Sequence, residues 1–287
     1  MKTLNGYINE ALIKKNTKIR HYKYFPKDKD ELRSLLEELL QERGKNANLN
    51  DIDVSSIQDF CYVSPYSDYG LFYNLDIGNI DISEWDMSNA TNISYMFYNC
   101  KEFNCDLSGW NVSNVEDMSR MFCHAAKFNC DLSRWNVGKV IFINGIFFGC
   151  ENFNSDLSGW DVSNIEDMAY MFHDCENFNS DLSKWNVSNV KDMSSMFNWC
   201  KNFNSDLSHW DVSNVEKMQY MFQVCKKFNS DLSKWDVSEV KNMSMMFCGA
   251  RKFNCDISNW DVSNVKDMSL MFHNCDSLKN TPDWYKE

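Results

Sequence analysis

The chain has 287 residues, 44% hydrophobic and 15% aromatic, with 29 Lys+Arg against 41 Asp+Glu and a net charge of −12. An acidic body repels nucleic acid and anionic membrane, so neither is an expected partner. No apolar run approaches the ~18–20 residues a membrane-crossing helix needs, and MKTLNGYINEALIKKN lacks the apolar core of a secretory signal. The expected setting is the cytoplasm, without signal-peptide secretion.

Residues 1–24 read as an N-terminal docking or addressing segment. Leu4, Tyr7, Ile8, Ala11 and Leu12 share one helical face, and a basic stretch follows them. Residues 1–47 carry 11 Lys+Arg and 7 Asp+Glu, an excess of +4 that leaves −16 on the remainder. Residues 25–47 read as a helical N-cap. Asp28 caps the helix with Glu31 at its third position, Leu32, Leu35, Leu36, Leu39 and Leu40 form the apolar stripe, and Gly44 ends it. Residues 48–80 hold a degenerate first coil, Leu49-x-x-Ile52-x-Val54-x-x-Ile57-x-x-Phe60, followed by an insertion.

From residue 81 to 280 the chain repeats. Trp85, Trp110, Trp135, Trp160, Trp185, Trp210, Trp235 and Trp260 are spaced by 25 residues. A fixed period of this size means stacked units, each burying its apolar face against its neighbours. Asp156–Ser180, DLSGWDVSNIEDMAYMFHDCENFNS, serves as the reference coil, with Asp156 as position one. Leu157, Trp160 and Val162 predict a short strand. Ile165, Met168, Met171, Phe172 and Cys175 fall on one helical stripe, and Ser163-Asn164-Ile165-Glu166 reads as its capping box. The expected fold is an α/β solenoid of parallel strands and short helices, capped by the N-terminal helix; an all-β helix is the competitor. Pro282, Trp284 and Tyr285 place a C-terminal cap at 281–287.

The position-one aspartates, Asp81 to Asp256, are expected to accept backbone N–H bonds at turns, with a row of Ca²⁺ sites as the other reading. An asparagine ladder from Asn104 to Asn254 reads the same way. The repeat tryptophans read as core, with a sugar-stacking strip as the alternative. Cys100, Cys150, Cys175, Cys200, Cys225 and Cys275 share a buried position, so the twelve cysteines read as free thiols of a reduced compartment. No C-x-x-C pair, phosphate loop or nucleophile elbow occurs, and the five histidines are scattered. The expectation is a non-enzyme without metal or cofactor.

The unit F-N-x-D-L-S-x-W-[DN]-V-S-N-V-x-x-M-x-x-M-F-x-x-C resembles the repeat of BspA-like leucine-rich-repeat proteins over about residues 48–280. The resemblance implies a right-handed leucine-rich-repeat-type coil and protein binding, with adhesion the common assignment. The opening L-N-G-Y-I-N-E-A-L-I-K-K-N-T-K is similar to the start of assorted phage-encoded gut-bacterial proteins, which would make the setting a host cell or a virion.

Two partner surfaces suggest themselves. Positions four and six point away from the predicted strand. They combine Arg134, Lys184, His209 and Lys234 with Asp161, Asp211, Asp236 and Asp261, a row suited to a protein partner. The second surface is the deviant coil Asp131–Ser155, DLSRWNVGKVIFINGIFFGCENFNS, which loses the capping serine to Gly138. On a helical wheel Ile141, Phe142 and Phe148, with Trp199 two coils on, make a convex apolar patch for a partner or a second copy. The bland alternative is an irregular coil that folds Phe142 or Phe148 inward. The leading function is a protein-binding scaffold; a carbohydrate or cell-surface receptor-binding protein, adhesin-like and phage-borne, is the other.

Overall fold

The computed structural model describes residues 21–62, 70–73, 75 and 77–286. Most of the segment read as 1–24 lies outside the described residues.

Among the described residues one α-helix forms, α1, Lys29–Arg43. Asp28, in extended backbone, accepts from the amides of Asp30 and Glu31, which removes two of the orphan N–H groups of the first turn. Gly44 ends the helix at φ 81° and donates back to the Leu40 carbonyl. Leu32, Leu36, Leu39 and Leu40 are buried and join the common core. Arg33 reaches from the helix to the carbonyls of Leu71 and Tyr73, at 2.7 and 2.8 Å, and ties α1 to the insertion.

The repeat stacks in register. Parallel bridges join equivalent residues 25 apart, from Asn92↔Asp117 through Asn242↔Asp267. Three aromatic columns run through the core. Trp85 and Trp110 stack with centroids 6.4 Å apart, Phe172 and Phe197 at 5.6 Å, and Phe178 and Phe203 at 5.9 Å. Each indole N–H donates to the position-two carbonyl of the preceding coil, as Trp160 does to Leu132. Phe72 of the insertion stacks on Phe97 at 5.2 Å and so begins the middle column. Trp284 stacks on Trp260 and donates to Ile257, prolonging the tryptophan column.

The elements expected inside each coil are not the ones observed. Leu157–Val162 is not a strand, and Ile165–Cys175 is a succession of tight turns instead of a helix. In that segment the amides of Met168, Tyr170, Phe172 and Asp174 donate to the carbonyls of Asp192, Ser194, Met196 and Asn198 in the next coil. The residues between them close local turns: Met171 on Met168, His173 on Tyr170, Cys175 on Phe172. Tyr170 and Asp174 adopt φ of 60° and 58°, which no α-helix allows. The physical reason is spacing. Stacked aromatic rings hold successive coils about 6 Å apart, whereas side-by-side helices need ~8–10 Å. The backbone therefore gives up internal helical bonds and satisfies its donors across the stack.

Polar positions serve the same geometry. The Asp156 carboxylate accepts from the Ser158 amide at 2.9 Å, Asp161 from Ser163 at 3.1 Å, and Asp167 from Ala169 at 2.8 Å. Each coil thus carries turns stapled by its own Asp or Asn. Ser163 is not a helix cap; its hydroxyl donates to Asp161 at 2.6 Å, while Glu166 pairs with Lys191 of the next coil. The asparagine ladder is continuous: the Asn179 amide donates to Asn154 Oδ1 at 2.8 Å, and Asn204 to Asn179 at 2.7 Å. The twelve cysteines are free. The Cys175 thiol donates to the Phe147 carbonyl at 2.9 Å, and burial pushes its pKa far up.

Candidate functional site

Position eleven elsewhere is Thr91, Glu116, Glu166, Lys191, Glu216, Lys241 or Lys266, and position twelve is Asn, Asp or Lys. In the coil 131–155 they are Ile141 and Phe142, which remain 44% and 56% exposed. Phe142 holds a bridge position, paired with Asp117 on one side and Asp167 on the other. Asp117 and Asp167 each staple a turn by accepting the amide two residues on; a phenyl ring cannot. The ring gains no burial in exchange, so neither residue is explained by the core.

Phe148 behaves differently. It is half-buried, stacked on His173 at 4.4 Å and edge-on to His124 at 4.9 Å. It belongs to an aromatic chain that runs from Tyr98 through His124 and Phe148 to Tyr170 and His173. The wheel that grouped Phe148 with Ile141 assumed a helix that does not form. Trp199, 44% exposed, lies outside that chain; its ring faces the Lys201 ammonium at 5.5 Å. The predicted four-residue patch thus divides into an exposed pair, a half-buried aromatic and a separate tryptophan.

Arg134, Lys184, His209 and Lys234 are all exposed, as are Asp161, Asp211, Asp236 and Asp261. The acids also have a structural task. Ser163 and Ser213, through hydroxyl and amide, hold the Asp161 and Asp211 carboxyls below the usual range, and Ser263 does the same for Asp261. A residue type required for the turn explains why position six never varies beyond Asp and Asn.

The sequence reading missed a hollow on the turn face. Tyr98, Arg120, Cys123, His124, Gly145, Phe148 and Tyr170 enclose about 160 Å³. Gly145, at position fifteen with φ 59°, opens it: the other coils place a side chain there. Gly149, at φ 71°, seats the His124 ring, because a Cβ on it would meet His124 Nδ1 at 2.6 Å. Burial lowers the His124 pKa; burial, with His124 nearby, lowers that of His173 to about 4. His173 Nδ1 is buried without a hydrogen-bond partner. Both rings are therefore neutral near pH 7; His124 is an aromatic wall of the hollow, and His173 stacks behind Phe148.

A family model described as "Mycoplasma protein of unknown function, DUF285" matches residues 35–147, 66–185, 131–225 and 170–285 in overlapping windows. The chain belongs to that family. No curated protein and no solved structure matches it. The DUF285 windows begin at residue 35, inside α1, and end at residue 285, beyond the last full coil. Among the described residues of this DUF285 chain, no three His, Cys, Asp or Glu side chains are grouped to hold a metal ion. None of its described helices is long and apolar enough to cross a membrane.

Proposed function

We propose that this DUF285 protein is a non-enzymatic repeat scaffold that binds a protein partner through the coil 131–155. One observation carries the reading: Ile141 and Phe142 expose adjacent apolar side chains where every other coil is polar. An apolar pair kept in water at two otherwise polar positions is the signature of a contact surface. Arg134, Lys184, His209 and Lys234 make a second, weaker surface, since surface charges tune encounter more than affinity.

The winding proposed is a right-handed, BspA-like leucine-rich-repeat solenoid in which turns replace the family's usual strands and helices. Free, buried thiols support a reducing compartment, the cytoplasm of a bacterial or phage-infected cell. The carbohydrate-binding alternative needs accessible tryptophans. The eight repeat tryptophans are only 3–4% exposed, so it is set aside.

The test is affinity capture from native lysate with the intact chain, beside Ile141→Glu/Phe142→Asp. The double variant should lose the captured partner, or self-association by light scattering, with an unchanged melting temperature. Capture and oligomeric mass that do not differ between the two proteins would overturn the reading.

A further inference from the structure

Position fifteen is Tyr95, Arg120, Gly145, Tyr170, Ser195, Tyr220, Met245 and Leu270 along the stack. All of these residues share a positive φ of 53–60°. Seven coils fill the position with a side chain, and the coil 131–155 leaves it empty. The gap lies between Arg120 on one side and Tyr170 on the other, two coil spacings apart. At the 5.6–6.4 Å spacing of the stacked rings, that is about 11–13 Å between the flanking groups. A slot of this width accepts one flat ring between its flanking groups. The volume agrees: about 160 Å³, against the ~150 Å³ that houses a benzene molecule.

The lining sets the chemistry. Tyr98, His124, Phe148 and Tyr170 bring aromatic rings to the lining, and the buried Cys123 completes it with Arg120 and Gly145. Arg120 is the only formally charged side chain on the lining at neutral pH. Its stem lies against Gly145, with Cγ 3.3 Å from where a Cβ would stand, and its guanidinium faces the Tyr95 ring at 5.9 Å. A guanidinium beside an aromatic slot pairs with a carboxylate and repels a cation.

We infer that the hollow at Gly145 receives an aromatic side chain flanked by acidic residues on a protein partner, with Arg120 pairing to the acid. The inference deepens the scaffold reading and rests on it for the protein source of the ring. It uses residues other than Ile141 and Phe142, so the two surfaces are tested separately.

The probe is acetyl-Asp-(4-fluorophenylalanine)-Asp-amide, followed by ¹⁹F NMR against the intact chain, with the Lys-flanked peptide as control. Gly145→Tyr restores the side chain that Tyr95 and Tyr170 carry at the same φ, so it fills the slot without a new backbone demand. Arg120→Met reproduces Met245 of another coil. In the wild type the acidic peptide should show saturable broadening and bind about tenfold tighter than the Lys-flanked one. Gly145→Tyr should abolish the effect, and Arg120→Met should remove most of the preference. Three results would overturn the inference: no saturable change in the wild type, equal binding by Gly145→Tyr, or preference for the Lys-flanked peptide. Should Gly145→Tyr unfold, as seen in its melting curve, Tyr170→Ala replaces it and must weaken binding. Peptide binding with unaltered capture by Ile141→Glu/Phe142→Asp would sink the exposed-pair reading alone; altered capture without peptide binding would sink this one alone.

Discussion

Trp160 donates its indole N–H to the Leu132 carbonyl, 3.1 Å away and 28 residues earlier in the chain. The same bond joins Trp185 to Leu157 at 2.9 Å and Trp210 to Leu182 at 3.0 Å. It explains why tryptophan, rather than phenylalanine, recurs at position five. The ring fills the core, and its N–H gives the Leu132 carbonyl a second bond beside the one from the Trp135 amide, so both lone pairs of a buried acceptor are used.

Trp160→Phe should therefore cost more than its lost area. It removes one of the two bonds to the Leu132 carbonyl, which keeps the Trp135 amide, a loss of about 0.5–1.5 kcal/mol in addition to the packing loss. Urea unfolding of the variant measures it. A cost below about 0.5 kcal/mol would mean that water or a shifted backbone replaces the bond.

Circular dichroism should show little helix. Only the fifteen residues of α1 contribute among the described ones, so the 222 nm signal should be small for a chain of this length. Leu36→Asp with Leu39→Asp buries two carboxylates in the cap and should destabilise by several kcal/mol. A strong helical spectrum would contradict the turn architecture of the coils.

Acid should weaken the protein in two stages. The unfolded His173 takes up its proton near pH 6.5, whereas the folded residue does so only near about 4. Stability from its burial is therefore whole above pH 6.5 and is lost as pH falls toward 4. His124, also lowered by burial, acts in the same direction. The turn aspartates, such as Asp181 and Asp206, are held below their ordinary 3.8, so their contribution is lost only at lower pH. His173→Phe should flatten the melting temperature between pH 6.5 and 4.5 while leaving the lower transition.

Ile141 and Phe148 should respond oppositely to charge. Ile141→Glu places a carboxylate in water and should change stability by less than about 0.5 kcal/mol. Phe148→Asp removes the ring stacked on His173 and should cost about 2–4 kcal/mol. Melting temperatures of the two single variants decide it; equal effects would show that both residues lie on the same kind of surface.

The period of 25, the α1 cap, the identity of the core residues and the turn-stapling role of Asp and Asn were legible in the sequence. Each depends on a local or strictly repeated pattern: a capping aspartate before a leucine stripe, one tryptophan per coil, an asparagine always in the same register. Where the backbone hydrogen bonds go was not legible. Met168, Met171, Phe172 and Cys175 have helical spacing, but their segment runs as turns whose amides are satisfied by Asp192, Ser194, Met196 and Asn198 in the next coil. Spacing along one coil cannot report the distance to its neighbour, and that distance, set by stacked rings about 6 Å apart, leaves no room for a helix. The hollow at Gly145 follows the same rule. In sequence it is one more glycine; only the stack, with Arg120 before it and Tyr170 after it, turns a missing side chain into a cavity.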